Sequence, residues 1–355
     1  MFAEKHYPEM MLPEELDAYL ASGWYRMGQT IFTTHFLCFG DQFYSAIWIR
    51  LHLGDYSFRK SLRKLIRKNL DQFTVSFHRA TITPEKERLY RRYKGTFPGI
   101  LAPTLRDSLL DGEDYNIYDT YEVRVRDHNR LVALSYMDKG SKGLASITGI
   151  YDGQYRKHSL GFFTMLMEIA FCLDHGIEYY YPGYVVPGYS RFNYKLRIGE
   201  VDYFNLQNNK WEPFTSLAQE DIPIEKMRRK LSDLYLLLHQ ASFPSKVYYY
   251  PLFEANLFGF WKAPYFDYPI FIFLQHPASD HYLLVVYDIT QSVYLIVRCS
   301  NFDDLQFYFN ESYVNSFDQN RFFMELIVLD QILYVCPTKE EAFQLILQKF
   351  GKIIK

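Results

Sequence analysis

The stretch from Arg130 to Val186 leaves this chain few ways to fold. RLVALSYMD and LASITGIYD are β-rich runs joined by KGSKG, a string of turn formers that reads as a hairpin connection. SLGFFTMLMEIAFCLDHG follows with helical length and reaches Gly176, a residue suited to ending a helix. IEYYYPGYVV then reads as the next strand, and the Pro-Gly pairs at 182–183 and 187–188 are expected to break it. Hairpin, helix and strand in that order predict a mixed α/β sheet.

At 355 residues the chain is long enough for two or three domains. Residues 1–70 form one expected unit, with a helix at PEELDAYLASG and two aromatic, β-branched runs, WYRMGQTIFTTHF and QFYSAIWIRLHL, on either side of Gly40-Asp41. Residues 71–215 carry the mixed pattern. Residues 216–355 read as an additional α+β extension, with a helix at MRRKLSDLYLLLHQ, strands at YPIFIFLQ, HYLLVVYDI and SVYLIVRCS, and a closing amphipathic helix at KEEAFQLILQKFGKIIK. No run approaches the ~18 apolar residues of a membrane span. The start of the chain carries acids and prolines where a secretory signal needs a basic, then apolar, stretch, so a cytoplasmic location is expected. Cys38, Cys172, Cys299 and Cys336 are too scattered to form a C-x-x-C clip.

A net charge of −2 hides an asymmetry. The segment from Arg59 to Lys94 carries a net +9, and the remainder is strongly acidic. Within it, Arg59, Lys60, Arg63, Lys64, Arg67 and Lys68 share one half of a predicted helix, opposite Phe58, Leu62, Leu65 and Ile66, with Asp55 and Ser57 as candidate caps. Such a face either binds nucleic-acid phosphates or is simply solvated. ERLYRRYKG follows, where Tyr90 and Tyr93 among arginines suit stacking on unpaired bases. RKHSLG, Arg156 to Gly161, lies where a strand gives way to a helix. Its amides could hold an anion such as the pyrophosphate of an acyl-CoA, or Ser159 could be a simple helix cap. SRFNYKLR brings Arg191, Lys195 and Arg197 together with no acid between them; they bind an anion or pair with acids such as Glu200. His276, Asp280 and His281 have the wrong spacing for metal ligands on one helix face and read as a loop. G-x-S-x-G is absent, so hydrolysis by a nucleophile elbow is not expected.

Several blocks between about residues 20 and 205 resemble the arginyl-tRNA–protein transferase family, including its bacterial leucyl-type branch. GWYRMGQTIFTTHF is similar to the family's first block, with Gly23, Arg26, Gly28 and His35 in register, and Arg50 falls where the family has an arginine. SLRKLIRKN fits its basic segment, and the paired strands keep Ser146, Tyr151 and Asp152. SLGFFTMLMEI, containing Gly161, matches a further block. YYYPGYVVPGYSRFNYK retains Gly183, Tyr184, Tyr194 and Lys195, with Arg191 and Phe192 for the family's Lys-Met.

The resemblance implies an acyl-CoA N-acyltransferase-like mixed sheet, α/β or α+β in class, with an N-terminal family-specific subdomain. It also implies transfer of an amino acid, arginine or leucine, from aminoacyl-tRNA to the α-amine of proteins, with a preference for an acidic first residue. Tyr184, Tyr194 and Lys195 become the catalytic candidates. Arg191, Lys195 and Arg197 become the acceptor-binding group, and the basic helix the tRNA-binding face. Partners would be aminoacyl-tRNA and protein or peptide N-termini, without a membrane. The family's first block carries cysteines able to hold a metal or iron–sulfur centre, but Phe36 replaces the first and only Cys38 is nearby, so neither metal nor cofactor is expected. Rival expectations are an acyl-CoA-dependent N-acyltransferase and a tRNA-binding protein without catalysis.

Overall fold

The computed structural model describes residues 1–99, 101–258, 263–274, 281–302 and 316–351. Its frame is an eight-stranded sheet built from β1 (Ile47–His52), β2 (Thr74–Arg79), β3 (Thr120–Asp127), β4 (Arg130–Lys139), β5 (Gly143–Tyr151), β6 (Tyr179–Val185), β7 (Asp202–Asn205) and β8 (Lys210–Pro213), in the order β8-β7-β1-β6-β5-β4-β3-β2. Strands β2 to β5 form an antiparallel meander. β5 and β6 are parallel, and the crossover that a parallel pair requires is the helix Leu160–Asp174. The class is the mixed α+β sheet expected, with the hairpin, helix and strand read from residues 130–186 in place.

The helices on this frame are α1 (Lys60–Leu70), α2 (Pro84–Thr96) and α3 (Leu160–Asp174). Eleven of the fifteen residues of α3 are buried, and Leu160, Phe163, Leu166 and Ile169 fill the core against β3, β4 and β5. At about 25 cal/mol per Å² of apolar surface removed from water, such a helix is held by packing far more than by its own propensity.

Parallel pairing between β5 and β6 covers only Gly143–Ala145 against Tyr179–Tyr181. Beyond it β5 continues beside β4 and β6 beside β1, so the two strands part and leave a cleft in the sheet. Both are bulged at that point, β5 between Ser146 and Thr148 and β6 between Tyr180 and Gly183. The first Pro-Gly pair therefore does not break the strand. Pro182 occupies the bulge, where its missing N–H costs no ladder bond, and Gly183 takes φ +91°, which suits a residue without Cβ. Only the second pair, 187–188, lies past the strand's end.

Two predicted runs also divide. WYRMGQTIFTTHF becomes Tyr25–Met27 and Thr30–Thr34 around the turn at Gly28. QFYSAIWIRLHL splits at Ala46: Gln42–Ser45 pairs with Phe36–Phe39 as a separate hairpin, and the remainder is β1. That hairpin sends Phe36 and Phe43 into a different core, formed by a sequential five-stranded antiparallel sheet running from Ser245–Tyr249 to Ile327–Cys336 and by the helices Pro223–Gln240 and Lys339–Phe350. Phe2 enters the same core, and the Asp267 carboxylate accepts hydrogen bonds from the backbone N–H groups of Phe2 and Ala3. His276 and Asp280 lie outside the described residues, as do the last four residues of the closing amphipathic run. Among the described residues, no helix is long and apolar enough to cross a membrane.

Candidate active site

The cleft between β5 and β6 widens into a cavity of about 1240 Å³. One wall is β5 from Ser146 to Gly149, the facing wall is Pro182 to Tyr184 of β6, and the N-terminal turn of α3 adds Gly161 and Phe162. A short 3₁₀ turn, Ser190–Arg197, folds back from the end of β6 and brings Arg191, Tyr194, Lys195 and Arg197 to the rim. Ligand clefts form where neighbouring strands of an open sheet diverge in this way, because the exposed strand ends supply walls without disturbing the core.

Lys195 is the central group. Its Nζ donates to the Tyr184 carbonyl at 2.9 Å and lies 5.4 Å from the centroids of both the Tyr184 and Phe192 rings. The residue is half-buried and lines the cavity. Surrounded by protein and given no carboxylate, its ammonium is pushed down by burial to about 7. Neither Lys195 nor Arg197 pairs with Glu200; no ion pair engages Lys195, Arg191 or Arg197 among the described residues. Arg191 stacks 4.3 Å over Phe97 and donates to the Pro98 carbonyl at 2.9 Å, and Arg197 lies 4.7 Å over Phe162. Gly183 is needed here twice over, since a Cβ would come within 3.0 Å of Lys195 Nζ as well as meeting the positive φ. Burial pushes the Tyr184 phenol up to about 12 and raises that of Tyr194, so both are hydrogen-bond donors at neutral pH.

The basic helix does not line the cavity but is hydrogen-bonded to segments that do. α1 starts at Lys60 with Arg59 as N-cap residue and no side-chain cap, so neither Asp55 nor Ser57 caps it, and it extends to Leu70. All six basic side chains are exposed and none enters an ion pair among the described residues. Its ends are tied to the site: Arg59 donates to the Arg197 carbonyl, and Asn69 Nδ2 donates to the His158 carbonyl at 3.0 Å. His158 belongs to RKHSLG, where Ser159 takes φ 53° and makes no side-chain cap, so the cap expected of it does not form.

Other sequence candidates lie elsewhere. Arg26 borders the cavity, but its guanidinium is committed to the buried Asp138 at 2.8 Å and to the Leu109 carbonyl. His35 is buried, its imidazole pushed down to about 3 by burial, hence neutral. Arg50 sits on the far side, paired with Asp202 at 3.3 Å and sandwiched near Tyr179 and Trp211. Asp152 caps the turn after β5 and pairs with Arg130 at 2.6 Å. Tyr90, read as a stacking platform, is buried with its hydroxyl on the Ala102 carbonyl, and Lys86 is spent in a buried pair with Glu122. The basic surface is therefore smaller than the charge count implied.

Cys38 lies on the strand Phe36–Phe39 and lines the cavity. Its neighbour at position 36 is a buried phenylalanine, and its thiol is pushed up to about 12 by burial and by Glu254 and Asp41. Among the described residues no three His, Cys, Asp or Glu side chains are grouped to hold an ion.

One polar group on the cavity floor escaped the sequence reading. Glu168, in the middle of α3, is 0% exposed, and burial pushes its carboxyl up to about 7. Its signal was present as the lone acid inside MLMEIAF, on a helix whose every other inward residue is apolar or threonine.

A family model described as the C terminus of arginine-tRNA-protein transferase matches residues 70–204. Proteins named aspartate/glutamate leucyltransferase are similar to the chain in several bacteria. That of Leptospira interrogans is 27% identical over 194 residues, covering 53% of this chain and 74% of the relative. That of Phenylobacterium zucineum is 30% identical over 183 residues, covering 49% and 68%. That of Pseudomonas aeruginosa is 26% identical over 213 residues, covering 59% and 87%. Among solved structures, FemX aligns at 11% identity and a TM-score of 0.33 over 54% of this chain and 65% of its own. A GCN5-related N-acetyltransferase-like protein from Streptococcus suis aligns at 15% and 0.29 over 46% and 59%.

Proposed function

This chain belongs to the arginine-tRNA-protein transferase family, and from that membership we propose that it moves an amino acid from aminoacyl-tRNA to the α-amine of proteins whose first residue is acidic. The observation that carries the reading is a cavity holding a lysine without an acid partner, with an exposed basic helix hydrogen-bonded at one end to Arg197 of its lining and at the other to His158, beside the lining residue Ser159. Residues 59–68 take the tRNA through its phosphates, and its aminoacylated end enters between β5 and β6.

An aminoacyl ester is already activated, so the site has to align the reactants and stabilise the tetrahedral oxyanion. Tyr184 and Tyr194, held as protonated phenols, are the donors available for that oxygen. Lys195 receives the acceptor's side-chain carboxylate, which supplies the counter-ion this buried ammonium lacks and so favours its charged form. Arg191 and Arg197, braced by Phe97 and Phe162, extend the positive rim. The transferred residue is arginine or leucine. Charged tRNA is abundant in the cytoplasm, so the proposal places the protein there.

The test is transfer of radiolabelled amino acids from total charged tRNA to peptides beginning with Asp, Glu, Asn, Lys or Arg. The parent is expected to prefer Asp and Glu. Lys195→Met should lose about ten- to a hundredfold of its preference for Asp over Asn, the worth of one charge-assisted hydrogen bond, and keep its tRNA affinity. Loss of tRNA binding with the acceptor preference intact would assign Lys195 to the donor. Transfer should also proceed without a metal centre. Stoichiometric iron or zinc in anaerobically purified protein, lost together with activity on chelation, would overturn that.

A further inference from the structure

The chemistry above leaves the polar cluster beneath the cavity without a task. Glu168 Oε2 accepts a hydrogen bond from Tyr180 at 2.7 Å, Oε1 makes no hydrogen bond of good geometry, and the buried Ser135 hydroxyl lies against the carboxyl from β4. A carboxyl enclosed in an apolar core with hydroxyls and no cation beside it is costly, and packing alone does not call for one. The Ser146 hydroxyl lies against both the Glu168 carboxyl and the Tyr180 phenol, and unlike the buried Ser135 it lines the cavity. Ser146 is also partly open, because the bulge in β5 turns this stretch toward the cavity. One serine thus faces the cavity and, behind it, a buried acid.

The titratable groups facing Glu168 come from four elements: Tyr180 on β6, Tyr25 on the strand Tyr25–Met27, Tyr194 on the rim turn, and Cys172 on α3 itself. Burial raises all four, so each is neutral near pH 7 and none offers Glu168 a cation.

We propose that Ser146 and Glu168 form the proton relay of the transfer reaction, Ser146 as the catalytic residue that meets the acceptor amine and Glu168 as the positioning residue behind it. The inference rests on the transferase reading. The neutral amine nitrogen attacks the ester carbonyl carbon, a C–N bond forms, and the C–O bond to the terminal ribose breaks. The amine's proton passes to Ser146 Oγ as the serine's own proton passes to Glu168. The reverse movement delivers a proton to the departing ribose oxygen, which leaves as the hydroxyl and regenerates serine and carboxylate. Nothing is oxidised or reduced. A base for this step works best with an acidity near the operating pH, and the buried carboxyl, raised to about 7, meets that condition where an exposed glutamate does not.

The experiment has two arms on the full chain. Infrared difference spectra, parent minus Glu168→Gln, follow the Glu168 carboxyl directly. The expected midpoint is near pH 7, moving by a measurable fraction of a unit in Ser146→Ala; an ordinary carboxylate midpoint, or one indifferent to Ser146, overturns the relay. In transfer assays, Glu168→Gln and Ser146→Ala should each lower kcat by about 10²- to 10⁴-fold, with acceptor KM and tRNA affinity within about twofold. Each should also lose the acid limb of the kcat profile near pH 7, and Glu168→Asp should restore part of both. A limb that persists in Glu168→Gln sinks the relay while leaving the transferase reading intact. A parent that transfers nothing from total charged tRNA sinks the reading, and the relay's task with it, whatever the infrared midpoint. Should Glu168→Gln fail to fold, Ser146→Ala decides through kcat and the pH limb.

Discussion

Replacing Glu168 with glutamine is expected to stabilise the protein by about 3 kcal/mol at pH 8 and by little at pH 4. The carboxyl is held near 7 in the folded state against an ordinary value of 4.5, and each unit of difference is worth about 1.4 kcal/mol. The sign follows from proton binding. A carboxyl with a raised folded value binds its proton more tightly in the native state, so its stabilising effect is full below about 4.5, declines as pH rises and is gone above about 7. Glutamine has the acid's shape without the ionisation, and its curve lacks that decline. Glu254 is also pushed up to about 7 by burial and adds a second decline of the same sign, so only the difference between variant and parent isolates Glu168. Lys195, pushed down to about 7, works the other way and adds stability as pH climbs above 7. Urea unfolding at pH 4, 6 and 8 is the measurement. Parallel curves for the two proteins would mean that Glu168 is not ionising in the buried environment.

The second large effect concerns salt. Arg63→Ala combined with Arg67→Ala should weaken tRNA binding on the order of a hundredfold near 50 mM salt and much less at high salt, because each phosphate contact contributes roughly 0.9 to the slope of log affinity against log salt. A slope smaller by about 2 is the expected reading, with the preference for Asp over Asn unchanged. Both arginines are exposed, so folding is unaffected. An unaltered slope would show that this face only meets solvent.

Elements with a local cause were legible in the sequence. The hairpin of β4 and β5, the apolar α3 and the two-faced α1 each declare themselves through turn residues or a period, and the cations of 191–197 are simply adjacent. What escaped depends on partners far along the chain. Pro182-Gly183 reads as a break until β1 is known to lie opposite it, where it becomes a bulge. Lys86 counts toward a basic surface until Glu122, 36 residues on, is found against it. Tyr90 resembles a stacking platform until the Ala102 carbonyl claims its hydroxyl. Arg26, His35, Arg50 and Asp152 match family positions as letters, but their side chains hold the frame, Arg26 at the edge of the cavity and the other three outside its lining.

The bond between Phe2 and Asp267 spans 265 residues of sequence. On a ribosome working at about 5–20 residues per second, the first strand of this protein waits tens of seconds before the carboxylate that anchors it has been synthesised. Phe36 and Phe43 wait as well, since the core that receives them is assembled almost wholly from residues 222–346. The central sheet can condense in the meantime, but the hairpin at its flank remains an exposed aromatic surface until residues 222–346 have been made. Birth of the chain is thus its moment of greatest exposure to aggregation and to chaperones, and slowing translation through residues 222–346 would lengthen that moment without altering a single contact of the finished molecule.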